Sequence, residues 1–282
     1  MGNFIYFLLI FWVTATYLFF PIVGHADEKT YSFGVVPQFE ARRIQKIWQP
    51  ILTRLSKETG LKLHLFNSPE IPAFEKSFSE GEFDFAYMNP YHLVVANQTQ
   101  GYTPIVKDNG RQLYGIIVVR KDSPIVDLQG LNGKTIAFPA PNSLGAALIP
   151  RAEFTRKFKI DFTPKYVKSH TSVYLNVILR QVDAGGGVQR TFSRQKEAVQ
   201  QPLRILHETR RVNSHPVAVH PRVSAEVAEL IRTAFLTMGE TEKGRDMLKK
   251  IPIDKVGPAS LVDYDPLKSM GLEDFYVKES LK

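Results

Sequence analysis

Apolar and polar positions follow two periods along this chain, one of about two residues and one of about 3.6, and the chain switches between them repeatedly. Residues 31–36 form a short apolar run stopped by Pro37, which predicts a strand. Ile44, Ile47, Trp48, Ile51, Leu52 and Leu55 then recur at i, i+3, i+4, i+7, i+8 and i+11, one face of a helix that Gly60 should cap. Pro50 inside that stripe predicts a kink or a restart, because its ring removes a backbone donor. Leu61, Leu63 and Leu65 alternate with Lys62 and His64, as in a strand with one buried face. A helix over 73–79, a strand over 83–87 and a helix from Pro90 to about Gln98 follow. Pro90 suits a first helical turn, where its missing N–H would have no partner. The order βαβαβ predicts an open sheet covered by helices.

A longer extended run at 113–120 ends this unit, and the pattern restarts. The spacing predicts strands at 135–138, 165–168, 182–184 and 203–206, with helices at 146–158, 172–179 and 191–199. A further extended piece at 217–220 precedes the strongest helix, 224–238, with Ser224 as N-cap, Glu226 and Glu229 in its first turns and Gly239 past its end. Two α/β units joined by extended segments near 113–120 and 215–220 predict a chain that crosses between lobes twice. Neither a fixed-period repeat nor a low-complexity tract is present.

The first 26 residues contain no Lys, Arg, Asp or Glu, and are followed at once by Asp27-Glu28-Lys29. Small residues at Gly24 and Ala26 fit a signal-peptidase site, predicting a mature chain that begins at Asp27. The n-region lacks a basic side chain, and the apolar run 4–20 sits at the short limit for a spanning helix, so an uncleaved anchor is the competing expectation. Either way residues 27–282 are expected in the periplasm. The chain has no cysteine, which excludes disulfides, thiolate metal sites and cysteine nucleophiles. A formal charge of +8 favours anionic partners, but Lys and Arg are spread out with no basic stripe of interleaved aromatics, which disfavours nucleic acid.

Enzymatic motifs do not emerge. Gly130-Leu131-Asn132-Gly133-Lys134-Thr135 imitates a P-loop, but the required first glycine is Leu128 and the segment precedes a strand, so a turn is expected. His215 and His220 are five apart and each is followed by proline, which is not a helical metal pair; no metal and no cofactor are expected. Three strand-to-helix turns stand out: Tyr87-Met88-Asn89-Pro90, Ala140-Pro141-Asn142-Ser143-Leu144-Gly145 and Lys168-Ser169-His170-Thr171-Ser172. Free N–H groups at a helix start attract an anion, and ligands of open α/β sheets bind beyond the carboxyl ends of strands. Each turn taken alone is more often a structural cap, with Ser169 or Thr171 in that role for the third.

The order of these segments resembles the phosphate/phosphite/phosphonate-binding family of ABC-transporter solute-binding proteins. The matching pieces are Gly81-Glu82-Phe83-Asp84-Phe85-Ala86-Tyr87, Asn89-Pro90, residues 131–138, Pro141-Asn142-Ser143, Ser169-His170, Val182-Asp183-Ala184-Gly185 and the run from Val217 into 231–236. The resemblance spans roughly 31–262 and implies an α/β, two-lobe periplasmic-binding-protein fold of type II-like topology with a two-strand hinge. It implies lobe 1 as 27–115 plus 217–282, lobe 2 as 116–216, and a small anionic ligand closed between them. Its implied ligand residues are Tyr87, Asn89, Asn142, Ser143, Leu144, Gly145, His170 and Asp183. Its implied role is capture of a phosphonate-, phosphite- or phosphate-like oxyanion by a monomer, without catalysis, for an inner-membrane ABC permease, with a sensor protein for a kinase or cyclase as the alternative partner.

Departures from the family pattern shape the expectation. Its anion loop is usually Pro-x-Ser-Thr-Ser-Gly, whereas Ser143 is followed here by Leu144 and Gly145, a loss of two hydroxyl donors at about 1–3 kcal/mol each. The aromatic often found near residue 71 is Ile71. Where aminophosphonate binders carry an acidic group, this chain has Gln189-Arg190, which would repel an ammonium and welcome a second anionic group. His170 is expected to hold an anion more strongly at pH 6 than at pH 8, as imidazolium.

Overall fold

The computed structural model describes residues 29–278; the expected leader, 1–26, lies outside the described residues. The chain begins with β1 (Thr30–Val35), α1 (Ala41–Thr59), β2 (Lys62–Asn67), α2 (Ile71–Ser79), β3 (Phe85–Tyr87), α3 (Pro90–Gln100) and β4 (Thr103–Asp108). It continues with β5 (Gly115–Arg120), β6 (Lys134–Phe138), a helical segment centred on α4 (Ile149–Ala152), β7 (Phe162–Tyr166), α5 (His170–Ile178), β8 (Ala184–Val188), α6 (Gln189–Phe192), α7 (Glu197–Gln200) and β9 (Leu203–Glu208). It then returns through β10 (Pro216–Val219), α8 (Ala225–Glu240), α9 (Glu242–Lys250), β11 (Val256–Pro258) and α10 (Asp265–Lys268).

The strands form two sheets, ordered β11-β4-β10-β3-β1-β2 and β7-β6-β8-β5-β9. β1 pairs in parallel with β2 and β3, while β10 enters antiparallel between β3 and β4. In the second sheet β6 pairs in parallel with β7 and β8, and β5 runs antiparallel to β8 and β9. This is the two-lobe α/β arrangement expected. The runs at 113–120 and 215–220 lie mostly inside the sheets, as β5 and β10. The crossings between sheets are the segments 109–114 and 209–215, tied by a bridge between Leu113 and Val212. A third connection comes from the C-terminal segment. Arg151 Nη1 donates to the Phe275 carbonyl at 3.1 Å, Arg156 Nη1 donates to the Met270 carbonyl at 3.2 Å, and Arg156 also pairs with Asp274.

Several local expectations are corrected. α1 runs unbroken through Pro50, which sits on the exposed face, so the carbonyl of Lys46 that loses its partner faces water. The expected helix at 191–199 is two short helices, α6 and α7. α8 continues past Gly239 to Glu240 and is followed directly by α9. β4 is central in its sheet yet was not expected, because Pro104, Lys107 and Asp108 interrupt its apolar pattern. β8 is longer and later than 182–184, because Gly185, Gly186 and Gly187 do not read as strand.

Those glycines have a packing reason. The segment 144–158 is π-helical at both ends, and its first turn presses onto the second sheet. A Cβ at Gly186 would lie 2.0 Å from the Ala146 carbonyl oxygen, and one at Gly115 would lie 1.7 Å from that of Gly145. Only bare backbone in β8 and β5 lets this turn sit so close.

Candidate functional site

The turn opening the 144–158 helix meets the two other strand-to-helix turns at the seam between the sheets. Asn89 caps α3: its Oδ1 accepts from the N–H groups of Tyr91 at 2.9 Å and His92 at 2.8 Å. Its Nδ2 donates across the seam to the Asn142 carbonyl at 3.3 Å. Ser169 caps α5, accepting from Ser172 N–H at 3.1 Å, which sets His170 at the first helical position. Ser143 precedes the π-helical turn without capping it, and its buried Oγ has no hydrogen-bond partner in the protein. The first N–H groups of that turn have no intrahelical acceptor and point out of the helix start.

These groups enclose an inner cavity of about 20 Å³. Asn89, Ser143, Leu144, Gly145 and His170 line it, so five of the eight expected residues are brought together. Tyr87 stands behind it, its ring 5.4 Å from and nearly parallel to that of His215. Its hydroxyl is buried without a protein partner, and burial raises its pKa. Asn142 turns away: its Nδ2 donates to Glu75 Oε2 at 3.0 Å and to the Val277 carbonyl at 3.1 Å, and its Oδ1 accepts from Val277 N–H at 2.9 Å. It fastens the 140–145 loop to the C-terminal segment. Asp183 is not at the cleft. It is exposed at the start of β8, where its Oδ2 accepts from Thr135 N–H at 2.9 Å, roughly 15 Å along the strand from Val188. β8 runs from Asp183 toward the cavity, which Val188 lines, so Asp183 sits at the far end of the strand.

Burial sets the charge state of the imidazoles. The pKa of His170 is pushed down to about 4 by desolvation, so the imidazolium expected at pH 6 is absent from the unliganded protein. Thr191 Oγ1 donates to the Val188 carbonyl at 2.7 Å and lies 3.3 Å from His170 Nδ1. The Nδ1–H of the neutral ring therefore faces Thr191, leaving the Nε2 lone pair for a ligand. His215 falls to about 3, through burial and then the neighbouring His92 and His170.

Sequence reasoning missed His215 and Gln38 as cavity residues. Gln38 Nε2 donates to His215 Nε2 at 2.8 Å, a contact between residues far apart in sequence that no local pattern announces. Ile71, at the position where the family often has an aromatic, lines the same cavity. Gln38, Val188 and His215 also border a second cavity of about 330 Å³ on the hinge side. Among the described residues no cluster of His and carboxylates could hold a metal, and no helix is long and apolar enough to cross a membrane.

Comparison with known proteins gives the family and the fold. A family model described as ABC transporter, phosphonate, periplasmic substrate-binding protein matches residues 33–264. The phosphonates-binding periplasmic protein of Escherichia coli (strain K12) is 21% identical over 266 residues, covering 89% of this chain and 79% of that protein. Among solved structures, a binding protein component of an ABC phosphonate transporter from Pseudomonas aeruginosa superposes with a TM-score of 0.78 at 17% identity, covering 86% of each chain. PhnD1 from Prochlorococcus marinus (MIT 9301), solved in complex with methylphosphonate, gives a TM-score of 0.79 at 14% identity, over 89% of this chain and 100% of that one.

Proposed function

The chain belongs to the ABC-transporter family of phosphonate periplasmic substrate-binding proteins, and from that premise we propose that it holds a phosphonate headgroup in the inner cavity and presents it to a membrane permease. The observation that carries this reading is Ser143 Oγ, a buried hydroxyl without a protein acceptor, beside the first-turn amides of Leu144 and Gly145. A phosphonate oxygen supplies the acceptor that the hydroxyl and these N–H groups lack. His170 Nε2 accepts the proton of a singly protonated phosphonate, and Asn89 closes the cavity from the opposite lobe.

An inner cavity of about 20 Å³ has room for about one water, so the lobes part to admit the ligand. Residues 30–108 with 216–278 close as one body on 115–208, and the crossings at 109–114 and 209–215 bend. Ligand contacts from both lobes favour the closed state, whose shape the permease reads. The protein captures and releases; it converts nothing. It acts as a monomer in the periplasm after removal of residues 1–26, so intact mass should correspond to a chain beginning at Asp27.

Calorimetry with methylphosphonate, phosphate and sulfate, paired with solution scattering, tests this reading. Methylphosphonate should bind and reduce the radius of gyration. Absence of methylphosphonate binding, or binding with no change in dimension, contradicts it.

A further inference from the structure

The hinge-side cavity of about 330 Å³ has a wall unlike that of the inner one. Arg111, Arg190, Arg194 and Arg211 line it, and Asp108 is the one carboxylate among its lining residues. The bracing of these arginines leaves cationic charge in excess. Asp254 is divided between two of them: it takes Arg190 in a two-pronged pair, with Nη1 donating at 2.9 Å, and Arg111 Nε at 2.5 Å. Asp108 Oδ1 already accepts from the N–H groups of Gly110 at 2.9 Å and Lys255 at 2.8 Å, and its Oδ2 stands 3.8 Å from Arg190. Arg194 is held by main-chain carbonyls, donating to Lys250 at 3.0 Å and Ile251 at 3.4 Å, and also to Lys249. Arg211 pairs with Glu208 at 3.0 Å and lies 3.9 Å over the Tyr114 ring. Burial, and then the neighbouring Arg190, lower the pKa of Arg194.

The two cavities share Gln38, Val188 and His215, so a substituent leaving a phosphorus headgroup at Ser143 passes His215 into this arginine-lined space. We propose that the hinge-side cavity is a second anion subsite, which makes the preferred ligand a phosphonate carrying a further anionic group, such as a carboxylate, on a short spacer. This rests on the phosphonate reading of the inner cavity and specifies its substrate class. Guanidinium forks match carboxylate oxygens two at a time, and an ammonium at the same place meets net repulsion from four arginines against one lining carboxylate.

Three probes with one headgroup separate the outcomes: propylphosphonate, 2-aminoethylphosphonate and 3-phosphonopropionate, titrated calorimetrically at pH 7.5 into wild type, Arg190→Gln and Arg211→Gln. The readout is the ratio of affinities for 3-phosphonopropionate and propylphosphonate. The ratio is used because Arg190 also ties the lobes through Asp254. Wild type should prefer 3-phosphonopropionate by about tenfold or more, bind 2-aminoethylphosphonate most weakly, and lose most of that ratio in both variants. Propylphosphonate binding with a ratio near one, or a ratio that survives both substitutions, overturns the second subsite alone. Failure of all three probes to bind overturns it together with the phosphonate reading.

Discussion

The two cavities that meet at His215 are built on opposite electrostatic plans. The inner one is lined by a serine hydroxyl, helix-start amides, an asparagine and neutral imidazoles, with no lysine or arginine. The outer one carries four arginines. A guanidinium sealed into some 20 Å³ would need a carboxylate partner whenever ligand is absent. Fixed dipoles avoid that requirement and still favour an oxyanion. The outer space is large enough to keep its cations hydrated and braced against Asp254, Asp108 and main-chain carbonyls. On the proposed reading, recognition of the phosphorus group falls to dipoles in a tight space, and selection of what is attached to it falls to charge in a loose one.

The comparison breaks most severely if the 140–145 loop is lifted off its sheet. Gly115→Ala puts a methyl group into the Gly145 carbonyl, and the loop must move. A loss of about 3 kcal/mol in urea unfolding is expected, together with loss of methylphosphonate binding. The imidazoles give the next effect. His170 has a folded pKa of about 4 against an ordinary value of 6.5, so between these pH values the unfolded chain binds a proton that the folded one refuses. Stability therefore rises with pH across that window and is lost as pH falls through it, by on the order of 3 kcal/mol for this residue. His170→Gln should reduce that slope in unfolding curves taken from pH 7 to pH 4.

A smaller effect of opposite sign sharpens the contrast. Ser143→Ala removes a buried, unpartnered hydroxyl, so the unliganded protein should hold its stability or gain about 1 kcal/mol by urea midpoint. Asp183→Asn should change nothing measurable in ligand titrations, because residue 183 lies at the far end of β8 and an amide oxygen can still accept from Thr135 N–H.

The fold was legible where burial writes a local period: the α1 stripe, the capped starts at Asn89, Ser169 and Ser224, and the alternation in β2. It was illegible where backbone proximity replaced side chains, as in β8, and where polar residues occupy a central strand, as in β4. The same division holds at the site. Asn89, Ser143 and His170 were visible because each opens a helix. Asn142 misled because the direction of its side chain depends on Val277, and Asp183 because a motif position says nothing about which end of a strand it occupies. Gln38 and His215, and the convergence of Arg194 and Arg211, come from packing between lobes.

The central claim is that Ser143 gives up stability in the free protein in order to bind an oxyanion. Calorimetric titration of methylphosphonate into wild type and Ser143→Ala, on samples shown by urea unfolding to be equally or more stable, tests it directly. The account predicts affinity lower by tenfold to a hundredfold in the variant, the loss of one charge-assisted hydrogen bond of about 1.5–3 kcal/mol. Equal affinity in the two proteins would contradict it.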